Sequence, residues 1–377
     1  NSWVVEIKIP YAALRFSNTN IQTWGVNFHR RINNLNEQYV WNYIDKKIGE
    51  ITQYSGEITG IEDIKPPTRL SFSPYASSSY TTFDGESEFS NNIGMDLKYG
   101  INESFTLDAT LIPDFGQTAF DDQVLNLGPF EQRYEEKRAF FTEGTELFDK
   151  GGLFYSRRVG NTPVNYERIQ ENLKDDEELI TNPDKVNMLN AIKISGRTKK
   201  GLGIGVFNAI TKKTSATIRN NATKGTRNEV TEPLANYNLL VLDQQFNKNS
   251  TVSLVNSNVL REGNFRDANV TAFLFDVSDK QNKFNIKGNY KLSNVKEFGS
   301  NTNGYSTFVE IGKRSGHIQY ELGHWRVNDT YDIKDLGYQS RNNLANYYSK
   351  ISYQIFEPTK TLSGFRITFE NEFRYQN

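Results

Sequence analysis

Near its end the sequence runs Phe365-Arg366-Ile367-Thr368-Phe369-Glu370-Asn371-Glu372-Phe373-Arg374-Tyr375. Successive side chains of a strand point to opposite sides. Phe365, Ile367, Phe369, Phe373 and Tyr375 therefore share one face, and Arg366, Thr368, Glu370, Glu372 and Arg374 the other. Charge at every second position does not suit the core of a soluble sandwich. It suits a strand with lipid on one side and water on the other. The preceding stretch alternates too, with Tyr347, Ile351, Tyr353 and Ile355 opposite Tyr348, Lys350, Ser352 and Gln354. Further back, Phe284, Ile286, Tyr290 and Leu292 oppose Asn285, Lys287, Asn289 and Lys291.

Extended outward, the period predicts strands at 69–82, 89–99, 104–112, 187–198, 202–212, 234–245, 250–260, 268–278, 283–293, 304–313, 316–326, 344–356 and 361–375. Short connections rich in turn residues, such as Gly100-Ile101-Asn102-Glu103, Asn247-Lys248-Asn249 and Arg314-Ser315, alternate with longer ones at 83–88, 113–186, 213–233, 261–267, 294–303 and 327–343. Outer-membrane barrels have short periplasmic turns and long extracellular loops. The expected fold is thus all-β, an antiparallel transmembrane β-barrel, incomplete in this sequence. On that reading the first strand runs up from the periplasm and the thirteenth ends on the outer side. A further strand is expected, because single-chain barrels have even strand numbers.

Composition agrees. Hydrophobic residues are only 36% of the 377, yet aromatics reach 13%, with 20 Tyr and 25 Phe. Mean hydropathy is −0.65. A polar lumen, an apolar outer band and aromatic girdles account for these values together. Charges nearly cancel, 44 basic against 45 acidic, which gives no general attraction to nucleic acid. There is no cysteine, so disulfides and thiolate metal sites are excluded. No apolar run approaches the roughly 20 residues of a membrane helix, whereas a barrel strand needs only about 10. The sequence opens at Asn1 without a signal peptide, and a missing or processed N-terminus is expected.

Residues 1–64 read as the C-terminal part of a soluble β-sandwich whose front is missing. Trp3, Val5, Ile7 and Ile9 form a first strand ended by Pro10; Trp24, Val26 and Phe28 form a second; Tyr39, Trp41 and Tyr43 form a third. Trp3, Trp24 and Trp41 are candidates for stacking on sugar rings, against the plainer reading of core packing. Ile64-Lys65-Pro66-Pro67 reads as the linker to a barrel domain at 65–377.

The segment 113–160, within the long insertion 113–186, packs acids and bases beside Phe pairs. It holds Pro113-Asp114-Phe115-Gly116-Gln117, Asn126-Leu127, Phe130-Glu131, Glu135-Glu136-Lys137-Arg138-Ala139-Phe140-Phe141-Thr142-Glu143-Gly144 and Ser156-Arg157-Arg158-Val159-Gly160. A solvated loop has little need of so many aromatics. We read the segment as a plug in the lumen, with Asp114, Gln117, Glu131, Glu136, Lys137, Arg138, Glu143, Arg157 and Arg158 as its polar contacts. Charges in a confined space must be paired.

These motifs resemble Bacteroidetes outer-membrane proteins in which a family-9-like carbohydrate-binding module precedes a barrel called domain of unknown function 5916. The resemblance covers most of 1–212 and weakens beyond. Ala191, Lys193, Gly196, Arg197 and Thr198 match the family's next strand, and Trp3, Glu6, Ile9-Pro10 and Leu14-Arg15 resemble the end of the module. Departures are Ile112 for Asn, Ala119 for an acid and Ala139 for Pro. The resemblance implies membrane location through the barrel and sugar binding through the module.

Other chemistries find little support. Gly201, Gly203 and Gly205 alternate with Leu202, Ile204 and Val206, and no helix start follows to hold a phosphate. A bare glycine face instead fits close approach by the folded-in segment. His317 and His324 are an odd number apart and point to opposite faces, so no zinc site is expected. Asp329, Asp332 and Asp335 read as solvated loop charge rather than a calcium site. Asp114, Glu131 and Glu143 could be considered as a glycosidase pair, but Lys137 and Arg138 beside them would hold carboxylates ionised. No catalytic residue, metal or cofactor is assigned. The expected function is transport, or accessory work on glycans or secreted proteins in the bacterial envelope. Its partners would be outer-membrane lipid, carbohydrate and other envelope proteins. A carbohydrate-binding protein anchored by a barrel and a membrane-bound glycoside hydrolase are the alternatives.

Overall fold

The computed structural model describes residues 4–11, 14, 16, 19–44, 54–64, 69–83, 86–113 and 125–376. Its strands are β1 (Ile21–Val26), β2 (His29–Ile32), β3 (Glu37–Val40), β4 (Gly56–Glu62), β5 (Leu70–Phe83), β6 (Glu86–Gly100), β7 (Phe105–Leu111), β8 (Glu177–Thr181), β9 (Met188–Arg197), β10 (Leu202–Thr211), β11 (Thr214–Asn220), β12 (Thr226–Glu232), β13 (Ala235–Phe246), β14 (Ser250–Arg261), β15 (Asp267–Ser278), β16 (Phe284–Glu297), β17 (Ser300–Lys313), β18 (Ile318–Val327), β19 (Leu344–Ile355) and β20 (Phe365–Gln376). Two one-turn helices, α1 (Ala139–Thr142) and α2 (Arg168–Glu171), lie in the long insertion.

The fold is all-β. Thirteen strands form one antiparallel sheet in chain order, β5-β6-β7-β9-β10-β13-β14-β15-β16-β17-β18-β19-β20. They are the thirteen strands that the period predicts. Among the described residues the sheet is open, with β5 and β20 at its edges.

Two connections expected to be long are not. β16 and β17 stay paired out to Glu297↔Ser300, and β5 and β6 out to Phe83↔Glu86. The β16–β17 turn is Phe298-Gly299, both at positive φ (47° and 80°). That is the twist a two-residue hairpin wants, but phenylalanine is an unusual residue to supply it. The regions 113–186 and 213–233 are not plain loops either. They contribute β8, β11 and β12 to a separate three-stranded sheet, on which Ile169 of α2 packs with Ala216 and Ile218.

In the N-terminal part, β1 pairs with β4 and β2 with β3. Val4–Ile9 is not a strand, and Val4 and Ile7 are exposed; without a ladder partner, alternation alone does not hold a chain extended. The third expected strand is shorter than predicted, and Trp41 and Tyr43 lie beyond it. Trp24 packs against Tyr11 and Phe16. Trp41 lies over Gly56, against the edge of Phe28, and stays 59% exposed rather than entering a core. Trp3 and the linker residues 65–67 lie outside the described residues.

The two faces of the large sheet differ in kind. One is bare and apolar. Ile204↔Leu242↔Leu254↔Phe273↔Tyr290 makes a directly paired row across β10, β13, β14, β15 and β16. Tyr320↔Ile351↔Phe369 continues the pattern on β18, β19 and β20. The other face is covered in its middle by the segment 139–160 and the loop 328–343. Phe141, Leu147, Phe148, Leu153 and Val159 from the first, and Tyr331, Ile333 and Leu336 from the second, form one core with Phe207, Tyr237, Leu239, Val241 and Val255 of the strands. Gly203 and Gly205 lie beneath it. A Cβ on Gly205 would sit 3.2 Å from both Leu147 and Phe148. The glycine face does serve close approach, though by side chains of the covering segment rather than by its backbone.

Gly205→Leu should therefore displace the covering segment and cost about 1–3 kcal/mol by overpacking. Ile204→Leu, on the bare face, should change little. Midpoints of unfolding in urea, followed by heat-dependent gel mobility, compare the two; equal midpoints would contradict this packing.

Candidate functional site

The site is the covered face and the polar wall beside it. Lys193 of β9 anchors α1. It is 3% exposed, and its ammonium donates to the carbonyls of Phe140 and Glu143, the latter at 2.7 Å. It also lies 4.6 Å from the Phe140 ring centre. Asp243 of β13, fully buried, does the same work further on. It pairs with Arg197 (2.6 Å) and with Lys150 of the covering segment (3.2 Å), and accepts from Ser253 (2.6 Å). Lys291 of β16 donates to the Gly151 carbonyl at 2.6 Å.

The charges of the segment itself form three groups. Glu136 is a hub: the Arg138 guanidinium holds both its oxygens (2.8 and 2.7 Å), Ser156 donates to it, and Arg157 lies 4.0 Å away. Burial pushes the Glu136 carboxyl up, but the Arg138 hydrogen bonds and charge outweigh it and leave the group below its ordinary value. Glu131 pairs with Arg158 at 2.5 Å, and Arg158 also donates to the Gly337 carbonyl of the loop 328–343. Glu143 leaves the segment to pair with Lys98 of β6, and that hydrogen bond lowers its carboxyl. Lys137 is exposed; its backbone N–H donates to Glu136. Asp114 and Gln117 lie outside the described residues.

A further cluster ties the loops together at the long-connection end of the sheet. Arg261 at the end of β14 bonds Glu232 of β12 at 2.8 Å and Asp335 at 2.9 Å. Arg266 bonds Asp335, Asp332 and, at 3.4 Å, Glu297 of β16, which also meets Arg168 of α2. The Glu232 carboxylate accepts from the Val164 amide as well. Asp332 and Asp335 are thus not solvated loop charge: Asp335 has a side chain only 5% exposed. Burial raises its carboxyl, and the two arginines more than reverse that, leaving it below the ordinary range. No local pattern marks this cluster, because its members come from five separated segments. Lys193 and Asp243 are more accessible to sequence reading, as single charges at buried positions of apolar alternation.

Beyond the covering segment, β16–β20 present a polar wall on the same face. Lys287 pairs with Glu310 (2.8 Å), which accepts from the Tyr348 hydroxyl; Lys350 pairs with Glu370 (2.8 Å), and Arg374 with Glu372 (2.6 Å). Among the described residues no group of three or more His, Asp or Glu could hold a metal. The rings of His317 and His324 are each engaged by a backbone carbonyl.

A single antiparallel meander, apolar on its bare face and carrying a covering segment and a charged wall on the other, defines the class. The protein belongs to the family of domain of unknown function DUF5916, whose model matches residues 66–377. No curated protein matches the chain. The solved structures it is similar to include two outer membrane proteins, opdK and OmpT, and the protein OpdL. The Pseudomonas aeruginosa protein opdK is 9% identical over 78% of this chain and 69% of that one, with a TM-score of 0.32. P. aeruginosa OpdL is 9% identical over 88% and 74%, with a TM-score of 0.33. Vibrio cholerae OmpT is 12% identical over 81% and 99%, with a TM-score of 0.27.

Removing one charge from a buried network strands its partner, at about 3–5 kcal/mol. Asp335→Asn should therefore expose 328–343 to protease in the otherwise intact protein. Because the Asp335 carboxyl is lowered in the fold, its stabilising contribution is complete above the ordinary carboxylate value of about 4 and lost as the pH falls below it. Wild-type protein should become sensitive in this loop only in acid, and the Asp335→Asn variant should show no such acid step.

Proposed function

We propose that this is an outer-membrane β-barrel protein whose charged inner face is a transport pathway for small polar solutes, with 131–160 as its plug. The observation that carries the reading is the pair of rows on the bare face. Parallel to the apolar row, and four residues further along each strand, runs Asn208↔Asn238↔Asn258↔Asn269↔Asn294, continued by Asn303 on β17. Four residues of strand is about 13 Å. Carboxamides need hydrogen-bond partners and are costly in hydrocarbon, so the asparagine row suits the edge of an apolar band. Several of its members also bond one another, Asn208 to Asn238 at 2.8 Å and Asn294 to Asn303 at 2.7 Å. The row lies toward the long connections; such connections are extracellular in outer-membrane barrels, which supports residues 1–64 being on the periplasmic side.

Transport is favoured over a mere anchor because the wall of β16–β20 carries paired charges facing an uncovered space. A second reading, carbohydrate recognition by residues 1–64, draws on the exposure of Trp41. Loss of glycan binding by the Trp41→Ala protein would support it; a glycan array blank for wild type would end it.

Two measurements test the main reading. Leu254→Lys should impair folding into bilayers by about 2–4 kcal/mol, and Asn258→Lys by no more than about 1 kcal/mol. Equal costs would remove the membrane assignment. In planar bilayers the full-length protein should conduct weakly, and Arg158→Ala, which frees the segment from Gly337 and breaks its internal pair with Glu131, should raise conductance. Silence in both proteins would refute a pathway through the lumen.

A further inference from the structure

The polar wall contains a cavity that none of the contacts above explains. Its volume is about 310 Å³, and it is lined by Asn289, Lys291, Ser306, Phe308, Trp325, Asn346 and Tyr348. The strand register builds it: Asn289↔Phe308↔Trp325↔Asn346 is a directly paired row across β16, β17, β18 and β19. Tyr348 closes one side. Its ring lies across Gly323, where any Cβ would come within 2.2 Å of it, and its hydroxyl is held by Glu310.

Two polar features of the lining are unused, and two rings lie between them. The Oδ1 atoms of Asn289 and Asn346 are buried and accept no hydrogen bond. Asn346 is 7% exposed, and its amide nitrogen is committed to Glu372 at 2.8 Å. Such an unpaired buried acceptor is costly, and an entering donor satisfies it after a small side-chain rotation. The Lys291 ammonium has three donors and one partner, the Gly151 carbonyl. Among the described residues no carboxylate pairs with it. Phe308 and Trp325 supply apolar ring faces between these polar groups.

We propose that this cavity binds a monosaccharide carboxylate, a sugar acid. Two orphan acceptors ask for at least two hydroxyl donors on one ligand. An uncompensated ammonium asks for an anion. Aromatic faces suit the C–H side of a pyranose ring. The volume is about that of ten water molecules, which has room for a single pyranose ring. An aromatic acid with a single hydroxyl would satisfy the lysine and the rings but leave one carboxamide unpaired. The proposal rests on the reading of this face as a solute pathway and names its substrate class.

The test is titration of the full-length protein in detergent with glucuronate, glucose and 4-hydroxybenzoate, followed by calorimetry and by Trp325 fluorescence. Glucuronate should bind saturably and more tightly than the other two. Lys291→Met should weaken glucuronate by about tenfold or more and leave glucose unchanged. Since Lys291 also holds Gly151, Asn289→Asp provides an independent variant: its added negative charge should repel glucuronate and spare glucose. Binding that persists without conductance would fail the transport reading and keep this site. No saturable glucuronate binding, a tighter fit for 4-hydroxybenzoate, or an unchanged glucuronate-to-glucose ratio in both folded variants would overturn it.

Discussion

Strand register governs every other feature of the molecule. In a sheet with period two, a slip of one residue exchanges the faces completely. On β13 such a slip would carry Asp243 to the bare face and Leu242 under the covering segment. The ion pairs of Lys150 and Arg197 would be lost at the same stroke. The apolar row, the asparagine row and the Asn289–Asn346 row are three readouts of one register, since each consists of residues directly opposite one another on successive strands.

The covering segment is held by two different kinds of force. Its aromatic and aliphatic side chains bury apolar surface against β10, β13 and β14, which is strong and undirected. Its charged contacts are directed. Lys193, Lys291 and Arg158 all donate to backbone carbonyls, which fix where the segment lies rather than how tightly it adheres. A buried ion pair adds little net stability when intact and costs much when broken. Such contacts therefore make a docked segment specific, and they leave it open to displacement by something that satisfies the same groups.

The covered face is accordingly divided. Toward β9–β15 it resembles the core of a soluble domain, closed over by the segment and the loop 328–343. Toward β16–β20 it is a wall of paired charges and carboxamides. The difference lies in residue choice at the inward positions: Phe207, Leu239 and Val255 in the first part against Lys287, Glu310 and Lys350 in the second. Lys291, on the boundary, belongs to both, bonding the segment while lining the cavity.

Which residues lie on which face of a strand could be read from residue order alone, because alternation is a local property and needs no partner to be seen. All thirteen strands of the large sheet, and the placement of Ile204 on the bare face with Gly205 beneath the covering segment, followed from it. Residue order also marked 113–160 as dense in charges that need partners. Turns proved harder, since Phe298-Gly299 adopts a hairpin geometry that its composition does not advertise. Who pairs with whom was settled only by the folded chain. Glu143 reaches Lys98 on β6 and Arg261 reaches Asp335 across 74 positions, contacts with no periodic signature. The vacant acceptors of Asn289 and Asn346 are likewise invisible in sequence, because an unmade hydrogen bond is a property of a site's surroundings and not of the residue that carries it.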